Sequence, residues 1–291
     1  MSLVNSDPVC LLLVISLLAA CAPQPSPVAE TQAAGEPKVT SSRTSNPTTT
    51  ITPTTTTYPT ETPQPSLTST PTVWVCPPLE GYRIDQLAGI VANPYAPPRN
   101  GSDDPHQGVD LADIDPGSRI ALEGMVVQAA LQGSVASVIR DRFPYGNAVM
   151  IETPLVSLPD AWLEEVQLPT PAPTLLDQPV LTCPTPEGAL PWTGASRSLY
   201  LIYGHLLDTP TLRPGETVAC GEPIGKVGMT GNALNPHLHV EARVGPSGAQ
   251  FDSLAHYTSS ASPDEMRNYC LWRVSNNFQL VDPLALLSNS P

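Results

Sequence analysis

The sequence predicts a mainly β protein, a small antiparallel β-sheet domain set behind a disordered Pro/Thr-rich linker. Three observations carry that expectation. The 291 residues include 36 prolines, too many for one compact fold of that length, so part of the chain is linker. The remainder reads as short runs of β-branched and small residues, cut at short intervals by glycine and proline. No stretch shows the sustained 3.6-residue periodicity of a long amphipathic helix.

Taken in order, the chain opens on the apolar run Val9 to Ala20, closed by Leu18-Ala19-Ala20-Cys21. The run is shorter than the ~20 residues needed to cross a hydrocarbon core and suits the h-region of a secretory signal. Leu-Ala-Ala-Cys resembles the bacterial lipobox, which implies that Cys21 is lipidated and becomes the mature N-terminus. Ala20-Cys21-Ala22 also fits an A-x-A cleavage site, which would release a soluble, secreted protein. Residues 22–75 are Pro, Thr and Ser with almost no large apolar side chains, and cannot bury enough surface to offset their ordering entropy.

Residues 76–291 form the expected folded domain. Its strand candidates are Val126 to Ile139, interrupted by Gly133; Ala148 to Ile151, after the turn Tyr145-Gly146-Asn147; Leu199 to Tyr203; and His237 to Arg243. Asp160 to Gln167 reads as one short helical turn, with Asp160 as its cap and Trp162 and Val166 four apart. Residues 153–198 are too long and Pro-rich for an ordinary hairpin connection and read as an insertion. It is either a tolerated surface loop or a wall of a groove using Trp162 or Trp192.

Charge and cysteines limit the function. Acidic residues outnumber basic ones 27 to 13, a net charge of −14, which argues against nucleic acid as a partner. Apart from Cys10 and Cys21 there are Cys76, Cys183, Cys220 and Cys270. Outside the cytosol these can form two disulfides in three possible connectivities, and their wide spacing argues against a C-x-x-C zinc site.

The chemistry rests on five histidines. His237-Leu238-His239 opens the alternating run His-Leu-His-Val-Glu-Ala-Arg. In a strand, His237 and His239 share one face while Leu238, Val240 and Ala242 pack on the other. Two adjacent imidazoles can divide the labour, one binding metal and the other handling protons. His106-Gln107-Gly108-Val109-Asp110 places an imidazole and a carboxylate four apart, with Gly108 permitting a bend. Together with His239 this supplies two nitrogens and one oxygen, the ligand count of a catalytic zinc with an open fourth position. No H-E-x-x-H sequence exists, which excludes the helical zincin arrangement. His205 ends the run Leu199 to His205 and can face the metal site without joining it. His256 lies in a polar, loop-like stretch and is given no role.

These segments resemble the lysostaphin/LytM-type zinc endopeptidases of bacterial cell walls. The resemblance lies in His106-Gln-Gly-Val-Asp110-Leu-Ala, Tyr145-Gly-Asn-Ala-Val-Met-Ile151, Tyr203-Gly-His205-Leu, Leu212-Arg-Pro-Gly-Glu-Thr-Val218, Gly225-Lys-Val-Gly-Met-Thr-Gly231, Pro236-His-Leu-His-Val-Glu241 and the closing Val281-Asp-Pro283. They keep the family's order from about Ile84 to Leu287, interrupted by residues 153–198 and by a second insertion near 245–275. The resemblance implies a substrate groove, one zinc ion held by His106, Asp110 and His239, and His205 and His237 as catalytic histidines. It implies peptidoglycan stem or bridge peptides as substrate and an extracytoplasmic place in the cell envelope, anchored through Cys21. Relatives that have lost ligands only bind the wall or regulate other hydrolases, so a catalytically silent module is the alternative; here all five positions are filled.

Overall fold

The computed structural model describes residues 75–98, 102, 104–166, 168–169, 181–184 and 196–289. The chain divides into Met1–Gln64, outside the described residues, and Pro65–Pro291, which holds all of them. The expectations for Cys21, the signal, the linker up to residue 74 and Trp192 lie outside the described residues.

The described part is mainly β, as the punctuated runs predict. Its strands are β1 (Val91–Asn93), β2 (Val109–Leu111), β3 (Val126–Gln128), β4 (Gly133–Arg142), β5 (Gly146–Pro154), β6 (Arg197–Leu206), β7 (Thr217–Val218), β8 (Pro223–Lys226), β9 (Leu238–Pro246) and β10 (Gln279–Val281). Three short helices accompany them: α1 (Asp160–Glu165), α2 (Pro263–Arg273) and α3 (Pro283–Ser288). An eight-stranded sheet runs β1-β2-β9-β6-β5-β4-β7, with β10 also paired to β9; β3 and β8 form a second, two-stranded sheet. Every pairing is antiparallel. The break at Gly133 therefore separates two strands in different sheets.

The central strands are buried on both faces, and the period of two sorts their side chains. On β6, Leu199, Leu201 and Tyr203 join one core, while Tyr200 and Ile202 join the other. Val149 and Ile151 of β5 fall in the first core, Ala148 and Met150 in the second. Leu238, Val240 and Ala242 of β9 belong to the first core. His239, Glu241 and Arg243 are thereby turned towards the second.

Both insertions contribute structure. Residues 155–197 replace the β5–β6 hairpin turn, since Pro154 still pairs with Ser198. Asp160 does not cap α1: the N-cap is Pro159, no side chain bonds that end, and Asp160 is the first helical residue. Trp162 is 2% exposed and belongs to the first core, so it is not a wall of a groove.

The region after β9 holds α2, a helix that the sequence reading did not expect. Its start is well signalled. Ser262 accepts from Glu265 N–H while the Glu265 carboxylate accepts from Ser262 N–H, and Pro263 occupies the first turn. What conceals it is the burial pattern: Tyr269, Cys270, Leu271 and Trp272 are four consecutive buried residues and draw no stripe. With Phe251, Leu254 and Phe278 they form the second core and cover the sheet face that carries His239 and Glu241.

The cysteines pair as Cys76–Cys220 and Cys183–Cys270. The first ties the domain's N-terminal segment to the β7–β8 turn. The second ties the first insertion to α2.

Candidate metal centre and groove

The centre is built by pairing β2 with β9, which sets Asp110 opposite His239. Gly108 allows the approach. A Cβ there would lie 2.5 Å from Val240 O and 2.6 Å from Cε1 of His239, so no other residue fits without displacing a strand or a ligand. His106 is placed by a backbone bridge to Ala96.

Three donor atoms meet. Asp110 Oδ1 lies 2.8 Å from His239 Nδ1 and 3.2 Å from His106 Nε2, and the two nitrogens are 3.3 Å apart. A tetrahedral zinc with bonds of ~2.0–2.2 Å holds its ligand atoms about 3.3 Å apart, so the triangle has the right size. These three residues could hold a metal ion.

Neighbouring groups fix the orientation of each donor. His106 Nδ1 lies 2.9 Å from Pro94 O, and a carbonyl can only accept, so this nitrogen carries the proton and Nε2 keeps its lone pair for the centre. Asn93 Nδ2 donates to the other oxygen of Asp110 at 3.2 Å. Burial pushes the Asp110 carboxyl up, but hydrogen bonds from His106 and His239 outweigh it and hold the group well below the usual carboxylate range. Burial pushes His239 down, and Asp110 and Glu241 more than reverse that. A metal held there would require the carboxylate ionised and the His239 nitrogen beside it free of its proton.

His205 and His237 stand beside the triangle without joining it. His237 Nε2 is 3.6 Å from Asp110 Oδ1, and its ring centre is 4.7 Å from that of His205, which lies 5.7 Å from that of His239. His237 and His239 thus share one strand face, as the spacing of two predicts. His237 Nδ1 donates to Asn235 O at 2.8 Å and His205 Nδ1 to Thr230 O at 2.7 Å, leaving both Nε2 atoms as acceptors. Burial, then the charges of His239 and His237, push the His205 pKa down to about 3, so the ring is neutral at neutral pH. His205 lies one residue before the end of β6, as expected, with a left-handed φ of 61° and its N–H bonded to Tyr145 O.

Beneath the centre lies an ion cluster that sequence reading missed. Glu241 is wholly buried; Arg243 Nε donates to one of its oxygens at 2.6 Å, and Arg273 and the Tyr145 hydroxyl to the other at 2.9 Å each. Burial alone would protonate Glu241, but Arg273 and Arg243 hold it well below the carboxylate range. Trp272 Nε1 donates to the Tyr145 oxygen at 3.1 Å, and Arg243 also donates to Gln107, the neighbour of ligand His106. One signal was present: His239, Glu241 and Arg243 of β9 continue the period of two that begins at His237, one residue before the strand. The partners on α2 left none.

The five residues proposed for the chemistry line one groove of about 570 Å³, which Tyr257, Tyr269 and Arg273 of the second insertion also line. His256 is not a loop residue in solvent. It is buried, stacked on Tyr269, with Nε2 2.8 Å from Thr182 O.

Residues 192–252 match the model of peptidase family M23. The match spans His205, His237 and His239; His106 and Asp110 precede it. Among solved structures, the chain is similar to the catalytic domain of the antimicrobial peptidase lysostaphin from Staphylococcus simulans, at 17% identity over 70% of this chain and 97% of that one, with a TM-score of 0.34. It is similar to an M23 peptidase candidate from Pseudomonas aeruginosa, at 19% identity over 69% of this chain and 49% of that one, TM-score 0.31. A zinc-containing peptidase from Vibrio cholerae shares 19% identity over 52% of this chain and 32% of its own, TM-score 0.29. The chain thus spans half or less of the latter two.

Proposed function

We propose that this protein is a zinc metalloendopeptidase that hydrolyses peptide bonds in peptidoglycan stem or bridge peptides. The observation that carries the reading is the donor triangle of His106, Asp110 and His239, flanked by two histidines whose free Nε2 atoms remain outside it. The residues fit a metal on their own terms: the spacing suits tetrahedral zinc, and second partners orient His106 and Asp110.

Zinc bound there would supply Lewis acidity, polarising the scissile carbonyl and lowering the pKa of water towards ~7. The remaining work falls to the protein. His205 and His237 both start as proton acceptors at Nε2, because carbonyls occupy their Nδ1–H groups. Whichever takes the proton from the attacking water becomes an N–H donor, able to stabilise the oxyanion and then protonate the leaving amine. Backbone bonds to Thr230 and Asn235 hold both rings at fixed angles, so little reorganisation is needed during the transfer.

The test is digestion. Several purified peptidoglycans, incubated with the full-length protein, should release peptide fragments identifiable by mass; a chelator should stop release and zinc restore it. A zinc-loaded protein that binds the wall but releases nothing would make this chain a silent binding module and overturn the proposal.

The two disulfides fit an extracytoplasmic location, and among the described residues no helix is long and apolar enough to cross a membrane. We propose that the protein is held at the envelope by lipid on Cys21, on the strength of Leu18-Ala19-Ala20-Cys21 after a short apolar run. The exported protein should partition into detergent, and Cys21→Ser should abolish both processing and partitioning. A wild-type protein recovered wholly from the medium, beginning at Pro23, would show A-x-A cleavage instead.

A further inference from the structure

Two bulky residues lining the groove have left-handed backbone, His205 at φ 61° and Tyr257 at φ 62°. For such side chains this conformation is strained and persists only where the surroundings impose it. At Tyr257 the surroundings do. The preceding His256 donates its N–H to Phe143 O at 3.0 Å and bonds Thr182 O through its ring. That ring stacks on Tyr269 at 5.2 Å and meets the Tyr257 ring edge-on at 4.3 Å. Thr182 is held in turn by the Cys183–Cys270 disulfide to α2. Yet Tyr257 is 55% exposed. A tyrosine serving only the core would be covered; this one packs edge-on to His256 and Tyr269 and still lines the groove.

The Phe143–Pro144 turn also contacts the loop that carries Asn232 and Asn235. Asn232 donates its backbone N–H to Pro144 O at 2.8 Å, so its loop flanks the same turn that His256 flanks. Asn232 and Asn235 are exposed and line the groove. A fixed aromatic face offers its negative π cloud to the weakly positive C–H groups of a saturated ring. Amides, able both to donate and to accept, suit hydroxyl and acylamino groups. The acidity of the chain, −14 overall, favours a neutral ligand over an anionic one.

We propose that Tyr257, with Asn232 and Asn235, forms a subsite for a neutral sugar ring carried by the peptide substrate. The inference rests on the reading of the protein as a wall peptidase and extends its substrate from peptide to glycan-linked peptide. The insertion after β9 is then a specificity element as well as a cover for the sheet.

The experiment compares one peptide in two forms, free and linked to a disaccharide, with the zinc-loaded full-length protein. Wild type should show a KM about 10-fold lower for the sugar-linked form, the worth of roughly one well-made contact. Tyr257→Ala should bring the ratio of the two KM values close to 1, and Tyr257→Trp should preserve it. A wild type that treats both forms alike overturns the proposal, as does a Tyr257→Ala ratio equal to that of wild type. Isothermal titration with the same two ligands yields the ratio from Kd values even if neither form is cleaved, so a failure of the peptidase reading stays distinct from a failure of the subsite. Should Tyr257→Ala lose its fold, the Asn232→Ala and Asn235→Ala pair must lower the ratio by the same logic.

Discussion

Asp110→Ala should hold less than about a tenth of the zinc bound by the wild-type protein and lose at least about 10³-fold in turnover. The loss follows from position. Asp110 Oδ1 is the one atom within 3.6 Å of a ring nitrogen of all three of His106, His237 and His239, and the only anionic donor of the triangle. Without it the site has two neutral nitrogens, too few ligands and no charge to offset the ion. A metal's contribution to the transition state is several kcal/mol, and each 1.36 kcal/mol is tenfold in rate. Asp110 is also a cleaner target than His239, because His237 stands near enough to replace a missing imidazole. Metal content by emission spectroscopy, beside initial rates on one defined wall peptide, decides the matter. Stoichiometric zinc in Asp110→Ala would remove the ligand assignment.

His237→Ala should keep its zinc and its fold while cleavage falls by about 10²-fold or more, the usual worth of a positioned acid or base. A group acting mainly in the transition state lowers turnover without abolishing the binding of metal or substrate. The structural basis is the bond from His237 Nδ1–H to Asn235 O, which leaves the other nitrogen facing the centre as a proton acceptor. His205→Ala should behave alike. Zinc lost from His237→Ala but kept by His239→Ala would reverse their roles. Zinc and full activity in both His237→Ala and His205→Ala would place the chemistry elsewhere.

The parts of this site that could be read from the sequence are those written in local spacing. His237 and His239 declared themselves by a period of two, and His106 and Asp110 by a four-residue interval across a glycine. Both signals come from backbone geometry that is independent of the rest of the fold. The count of two disulfides was legible as well, but not the pairing, because joining residues 87 and 144 positions apart depends on the whole topology. Glu241 and Arg243 extend the same alternation, yet their meaning lies in Arg273 and Trp272 on α2, which no local pattern links to β9. His256 does lie in a loop, as its polar stretch suggests, but nothing local shows that contacts with Tyr269, Phe143 and Thr182 bury it.

The pairing of β2 with β9 has a consequence for the lifetime of the folded protein. β2 is only three residues long, so few backbone bonds hold the segment bearing His106 and Asp110 to a strand 129 positions away. An ion shared by the two segments would fasten that seam. Binding only the closed state, it would add about 4 kcal/mol when free metal exceeds its dissociation constant 1,000-fold. Metal supply would then govern durability as well as rate. In a zinc-poor medium, the short β1–β2 edge would open first and be the earliest point of attack by neighbouring proteases.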